Sequence, residues 1–318
     1  MKIVITDSDT LTNGDIGFAE FAKYGNVIRY DYTEPSRAAE RIRDADAVLC
    51  NKTPMTEEVL RGAENLKYIG LFATGYNNVD IEYAKARGIT VCNVPGYSTN
   101  GVVQLTFSFI FELFGNLEKY RASVNKGDWK KSRVFSYFPY PIYELSGKTI
   151  GIVGYGSIGK AVAKAALAFG MKVLVYTRTV RAEYSDDGVE FTDFGRLLSE
   201  SNIVTLHCPL NKDSEKLMNK DAFDKMKKGA VLINTARGPV VDENALREAL
   251  LSGKLMGAGL DVLETEPMSE TCPLFGIENC IITPHIAWAG AETRKRLLKT
   301  AADNLKAFIE GNPVNKVF

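Results

Sequence analysis

The chain of 318 residues contains two histidines, His207 and His285. His285 stands in IITPHIAW, directly after an apolar run and a proline, which puts it on a loop at a strand end. Two further strand-like runs end in groups that complement it. Asn234-Thr235-Ala236-Arg237-Gly238 closes one with an arginine beside a flexible glycine, and Gly259 to Pro267 closes another with a cluster of carboxylates. In a parallel sheet covered by helices, ligands bind at the carboxyl ends of the strands, so these segments predict one site. An arginine fork pairs with a carboxylate and polarises a neighbouring carbonyl. A histidine exchanges a proton with a hydroxyl oxygen, and a glutamate bonded to it favours the imidazolium. Beside a nicotinamide, such a set suffices for hydride transfer between a cofactor and a 2-hydroxy or 2-keto acid. Taken singly, Arg237 could cap a helix or bridge to Asp242, Glu266 could be solvated, and His285 could be structural. Their place on successive strand ends favours the shared chemical role.

That chemistry needs a dinucleotide site, and Lys148 to Arg178, KTIGIVGYGSIGKAVAKAALAFGMKVLVYTR, has the pattern. Thr149 to Val153 reads as a buried strand, and Gly154, Gly156 and Gly159 follow with GxGxxG spacing. A helical pattern from Ile158 to Phe169 ends at Gly170, and Lys172 to Tyr176 reads as a second strand. Strand, tight turn, helix, strand is the context the fingerprint requires. One glycine makes the turn, one admits a pyrophosphate, and one lets helix pack on sheet. The open amides of the helix N-terminus suit the phosphates.

The elements that must position these groups alternate. Strand-like runs recur at Lys2–Thr6, Asn26–Tyr30, Ala47–Cys50, Tyr68–Ala73 and Ile89–Val94, with helical patterns such as Glu57–Arg61 and Ile81–Arg87 between them. A continuous helix is expected from Asn100 to Tyr120, then an aromatic, proline-containing loop from Trp129 to Tyr143. Beyond the glycine-rich unit, strands are expected at Ile203–His207, Ala230–Asn234, Gly257–Val262 and Ile281–Thr283, with helices near Lys220–Met226 and Glu243–Leu251. Ala291 to Glu310 reads as a closing amphipathic helix. Two α/β series in line predict two domains with parallel sheets.

The 39 basic and 39 acidic residues balance, which gives no electrostatic case for nucleic acid or a membrane surface. Neither a secretory signal nor an apolar run of spanning length is seen. The five cysteines, Cys50, Cys92, Cys208, Cys272 and Cys280, never stand as CxxC and read as reduced thiols of a cytoplasmic protein, with no metal site.

ATGYNNVD (Ala73–Asp80), GYGSIG, LHCPL (Leu206–Leu210), NTARGPVVDENAL (Asn234–Leu246), GAGLDVLETEP (Gly257–Pro267) and ITPHIAW resemble, in order, the D-isomer-specific 2-hydroxyacid dehydrogenase family. NKTP (Asn51–Pro54), FSYFPYP and HIAWAG are most similar to its glycerate dehydrogenase and hydroxypyruvate (glyoxylate) reductase branch. The resemblance implies two Rossmann-like domains: a flavodoxin-like substrate domain, 1–98 completed by 290–318, and a doubly wound dinucleotide-binding domain, 99–289. It implies Arg237 as the substrate-binding and polarising residue, His285 as acid and base, and Glu266 as its partner. Thr74 and Gly75 would hold the substrate carboxylate, and Thr74 would reach the cofactor. With Gly154, Gly156 and Gly159, the implied cofactor contacts are Ser157 and Ile158 at the pyrophosphate and Cys208 and Pro209 beside the adenosine. Thr235 and Ala236 would lie near the nicotinamide ribose and Asp261 at the carboxamide, with Arg237, His285 and Ala287 completing the set. It further implies catalysis in the interdomain cleft and a homodimer formed through the cofactor domain.

Lys52, the one basic residue of NKTP, could meet the distal oxygen of a substrate, although a solvated lysine is the plainer reading. Trp288 could line the substrate pocket or serve as packing. His207 reads as structural. At the end of the second fingerprint strand, where NAD-preferring sites place a carboxylate, stand Thr177 and Arg178, with Arg181 beyond. NADP(H) is therefore the expected cofactor, with NAD(H) still permitted. Reduction of hydroxypyruvate or glyoxylate is the expected reaction. A bulkier 2-keto acid is the alternative within the family, and a cofactor-sensing, corepressor-like binding protein the alternative from another class. No disordered docking tail supports the latter.

Overall fold

The computed structural model describes residues 1–179 and 188–318. Arg181 lies outside the described residues. The chain divides into two compact units, Met1–Ser98 with Trp288–Phe318, and Thr99–Ala287.

The first unit holds five parallel strands, β1 (Lys2–Ile5), β2 (Asn26–Arg29), β3 (Ala47–Cys50), β4 (Tyr68–Leu71) and β5 (Thr90–Cys92), in the order β2-β1-β3-β4-β5. This is the flavodoxin-like order. Every residue of β3 and β4 is buried, as strands covered on both faces require. Helices α1 (Ala38–Ile42), α2 (Glu57–Arg61) and α3 (Ile81–Ala86) make the crossovers. Thr56 and Asp80 start the last two by accepting the N–H groups of Val59 and Tyr83. Because β1 pairs directly with β3, the loops that follow these two strands leave the sheet side by side.

The second unit opens with α4 (Thr99–Gly115) and α5 (Leu117–Asn125). The single helix expected from Asn100 to Tyr120 is thus two. Asn116 between them has a φ of 51°, in the left-handed region that asparagine tolerates better than most residues. Its Nδ2 donates to the Pro141 carbonyl at 2.9 Å, which fixes the break against the aromatic loop. That loop contains one short 3-10 turn, Trp129–Lys131.

Seven parallel strands follow: β6 (Thr149–Val153), β7 (Lys172–Tyr176), β8 (Val189–Phe191), β9 (Ile203–Leu206), β10 (Ala230–Asn234), β11 (Leu255–Leu260) and β12 (Cys280–Ile282). Their order, β12-β11-β10-β9-β6-β7-β8, is the doubly wound arrangement extended by one strand. Helices α6 (Ser157–Ala168), α7 (Phe194–Glu200), α8 (Lys220–Lys225) and α9 (Glu243–Leu251) connect them. One apolar cluster, including Leu198, Phe223, Leu232 and Leu246, and another, including Phe109, Ile150, Val162 and Ile233, form the core of this unit.

The last helix, α10 (Ala291–Ile309), belongs to the first unit. Leu297, Leu298, Ala301, Ala302 and Leu305 are buried with Ile3, Ile5, Phe21, Tyr68 and Phe72. Its start is pinned by a fork from Arg294 to both oxygens of Asp15, at 2.8 and 2.7 Å, which holds the Asp15 carboxyl well below its usual range. No described helix is long and apolar enough to cross a membrane.

Candidate active site

The glycine turn after β6 is built as the fingerprint predicts. Gly154 has a φ of +96°, and a Cβ there would meet the His207 and Cys208 backbone at 2.7 to 2.8 Å. Gly159 lies against the Gly154 carbonyl, so α6 closes tightly on the turn. Between them Gly156, the N-cap of α6, would meet nothing within 4 Å, and no side chain caps the helix. Open space in front of uncapped amides at Ser157 and Ile158 fits a diphosphate. Cys208 and Pro209 continue the β9 edge of this turn, where burial pushes the Cys208 thiol up from its ordinary value. His207 donates nothing to charge chemistry here. Its Nε2 lies 2.9 Å from Thr205 Oγ1, and burial lowers its pKa to about 3, so the ring is neutral at ordinary pH. After β7 come the half-buried Thr177 and the exposed Arg178, whose Nη1 donates to Asp213 Oδ2 at 3.0 Å.

Arg237 leaves β10 as an exposed residue between buried Ala236 and Gly238. Asn234 shapes this turn with both ends of its amide: Oδ1 accepts the Ala236 N–H at 3.0 Å, and Nδ2 donates to the Arg237 carbonyl at 2.9 Å. Thr235 is buried, with its hydroxyl 3.3 Å from that of Thr106 on α4. Gly238 packs directly on the Leu263 carbonyl and leaves no room for a side chain. The arginine turn therefore rests on the backbone that leads from β11 to Glu266.

His285 follows β12 with a φ of 55°, unusual for a residue with a side chain. Its Nδ1 lies 2.7 Å from Glu266 Oε2, while Glu266 Oε1 accepts the Leu263 N–H at 3.1 Å. A carboxylate only accepts, so the proton sits on Nδ1 and Nε2 is left for a ligand. The strained histidine turn is held by Asp261. Its carbonyl accepts the His285 N–H at 2.9 Å, and its carboxylate accepts Thr283 Oγ–H at 2.6 Å and the N–H groups of Ile286 and Ala287 at 2.7 and 2.8 Å. Burial raises the Asp261 pKa, and these donors oppose that rise. Sequence reasoning placed Asp261 only through the resemblance and missed this anchoring role. The one available signal was an acid at the end of an otherwise apolar strand.

Lys52, Thr74, Gly75 and Trp288 all lie in the first unit. Lys52 is exposed between buried Asn51 and Thr53, on the loop after β3. In the turn after β4, Thr74 Oγ–H donates to the Val94 carbonyl at 2.8 Å and Asn93 Nδ2 donates to the Thr74 carbonyl at 2.7 Å. Trp288 is half-buried and packs on the core of α10 and the first sheet.

A doubly wound sheet with an open diphosphate turn, and with Arg237, Glu266 and His285 on the ends of adjacent strands β10, β11 and β12, defines an oxidoreductase that uses a nicotinamide cofactor. Residues 107–287 match the pattern of the D-isomer specific 2-hydroxyacid dehydrogenase NAD binding domain, and the chain belongs to that family. It is 42% identical over 320 residues to a hydroxypyruvate reductase of Blautia hydrogenotrophica, covering 100% of this chain and 99% of the relative. It is 40% identical to a glycerate dehydrogenase of Methylorubrum extorquens, covering 99% and 98%. The structure of D-lactate dehydrogenase from Aquifex aeolicus complexed with NAD and lactic acid superposes with a TM-score of 0.86 at 31% identity, covering 99% and 98%.

Asp261→Asn keeps the volume but turns an NH2 group toward an N–H donor. The expected result is a fall in kcat on the order of 100-fold, as misplacement of a catalytic group costs. A kcat within threefold of wild type would show that the turn holds without the carboxylate.

Proposed function

We propose that this protein reduces hydroxypyruvate or glyoxylate to the D-2-hydroxy acid. The 2.7 Å His285–Glu266 pair, set beside the Arg237 turn, is the observation that carries the reading. Similarity along the full chain to a hydroxypyruvate reductase and a glycerate dehydrogenase supports the substrate class. Arg237 is permanently charged; it grips the substrate carboxylate and polarises the keto group. A nicotinamide cofactor held at the glycine turn would supply the hydride for the keto carbon. Protonated His285 gives the Nε2 proton to the keto oxygen, which becomes the hydroxyl, and solvent restores the imidazolium. In the oxidative direction neutral His285 takes that proton back. Thr74 and Gly75 are the proposed contacts of the substrate carboxylate, and Lys52 of the distal oxygen. Trp288, which packs on the first unit's core, is the remaining proposed substrate contact.

The cofactor contacts proposed are the glycine turn with Ser157 and Ile158, Cys208 and Pro209, Thr235 and Ala236, Asp261 and Ala287. The amide of Ala287 is engaged by Asp261, so its contribution is to shape. Thr177 and Arg178, with no carboxylate of their own, favour NADP(H), with NAD(H) as the permitted second cofactor. The aromatic loop of the second unit exposes Val134, Phe135, Phe138 and Ile142 by 64%, 91%, 76% and 60%, an apolar surface that suits a homodimer. Five unpaired cysteines suit the cytoplasm. The cofactor-sensing alternative is not favoured, since the relatives that match from end to end are enzymes.

A panel read at 340 nm tests the reaction, crossing NADPH and NADH with hydroxypyruvate, glyoxylate, pyruvate and 2-ketoisocaproate. Fast oxidation is expected with the first two acids, and kcat/KM is expected to be higher for NADPH than NADH. Turnover confined to the bulky acid would discard the substrate, and a cofactor ratio below one would discard the NADP preference.

Glu266→Gln keeps the size of the side chain but can turn an NH2 group toward His285 Nδ1, breaking the 2.7 Å contact that orients the ring. kcat is expected to fall on the order of 100-fold, as misplacement of a catalytic group costs. A kcat within threefold of wild type would remove Glu266 from the proton-transfer pair.

A further inference from the structure

The loop after β3 holds Lys52 as an exposed cation whose Nζ has no partner among the described residues. A lysine stem of four carbons is flexible, so its reach has meaning only if its backbone is fixed. What fixes it is Asp7, 2% exposed, just beyond the end of β1. Oδ2 of Asp7 accepts the N–H groups of Lys52 and Thr53 at 2.6 and 2.7 Å and the Thr53 hydroxyl at 2.9 Å; Oδ1 accepts the Asn51 N–H at 2.9 Å. Three successive amides thus close around one carboxylate, an anion nest made within the protein. From the other side, Asn78 Nδ2 donates to the Thr53 carbonyl at 2.9 Å, and the Met55 N–H donates to the Asn78 carbonyl at 2.7 Å. Asn78 sits in the Tyr76–Val79 turn, which directly follows Thr74 and Gly75 in the loop beyond β4. Hydrogen bonds therefore tie Asp7 to the Lys52 loop, and that loop to the segment that carries Thr74 and Gly75, within the first unit.

We propose that Asp7 is a positioning residue that sets substrate specificity, by fixing the span between the Lys52 ammonium and the turn that receives the substrate carboxylate. A 2-keto acid with a hydroxyl on C3 fits that span and bonds Lys52; one ending in a methyl group leaves the lysine unanswered. This rests on the reaction proposed above. Hydrogen bonds to a charged group of this kind discriminate by about tenfold or more.

The readout is the ratio of kcat/KM for hydroxypyruvate over pyruvate, which a merely structural role would not move, since both substrates would suffer alike. Lys52→Met is expected to lower the ratio about tenfold. Asp7→Asn, which faces an NH2 group toward an amide N–H, is expected to do the same. The double variant should be no worse than Lys52→Met alone. An unchanged ratio in either single variant, or additive losses in the double, overturns the proposal. If Asp7→Asn does not fold, Thr53→Val removes one donor and keeps the carboxylate: a fall of about threefold supports the frame, and an unchanged ratio overturns it. A wild-type protein that turns over neither hydroxypyruvate nor glyoxylate would instead sink the reaction itself.

Discussion

A buried carboxylate that gathers the N–H groups of a neighbouring loop is the interaction on which the reactive geometry depends. Asp261 at the end of β11 collects a hydroxyl and two amides from the loop beyond β12, and its carbonyl takes the His285 N–H. Without those acceptors the left-handed turn at His285 would have no reason to persist, because a side chain in that region is disfavoured. Hydrogen bonds to a charged acceptor contribute roughly 1.5–3 kcal/mol each. Three of them act against the desolvation of the aspartate, which still raises its pKa, and against the strain at the histidine. Glu266 then needs only to reach Nδ1, and its second oxygen is already occupied by the Leu263 amide, which stops the carboxylate from swinging away.

The first unit uses the same device for a different end. Asp7 gathers three amides and a hydroxyl, and an exposed basic residue stands on the loop it holds. Asn234 does comparable work for Arg237 with a neutral side chain, which suffices because Gly238 already locks that turn against the Leu263 backbone. At Lys52 and at Arg237 the outward charged side chain is flanked by buried neighbours. The entropy of the loop is removed by packing, and only the outward side chain remains free.

Much of this was legible before any coordinates. The glycines at 154, 156 and 159 showed in their spacing because each answers a separate steric demand, and Arg237 and His285 showed because they interrupt apolar strand ends. The anchors were not legible. An aspartate after a strand is ordinarily a turn residue, and nothing in KIVITDSDT distinguishes Asp7 from Asp9; only the register of β1 on β3 brings the former to the Lys52 loop. The break at Asn116 was hidden for a related reason. Apolar residues continue on both sides of it, and periodicity is blind to one residue whose backbone changes hand. Short elements such as α1 and β8 offer too few residues for any period to register.

The proposed NADP(H) preference rests on a similar competition among charges. A carboxylate placed on β7 itself would repel a 2′-phosphate directly. Among the described residues the acid that pairs with Arg178 is Asp213, on the loop after β9. Both side chains are exposed, so the pair is weak and readily exchanged. A phosphate carries more charge than a carboxylate and offers more acceptor oxygens, so it can take the guanidinium from Asp213. A ribose hydroxyl cannot, and would leave the pair intact. On the proposed reading, preference at this site is set by which anion Arg178 keeps.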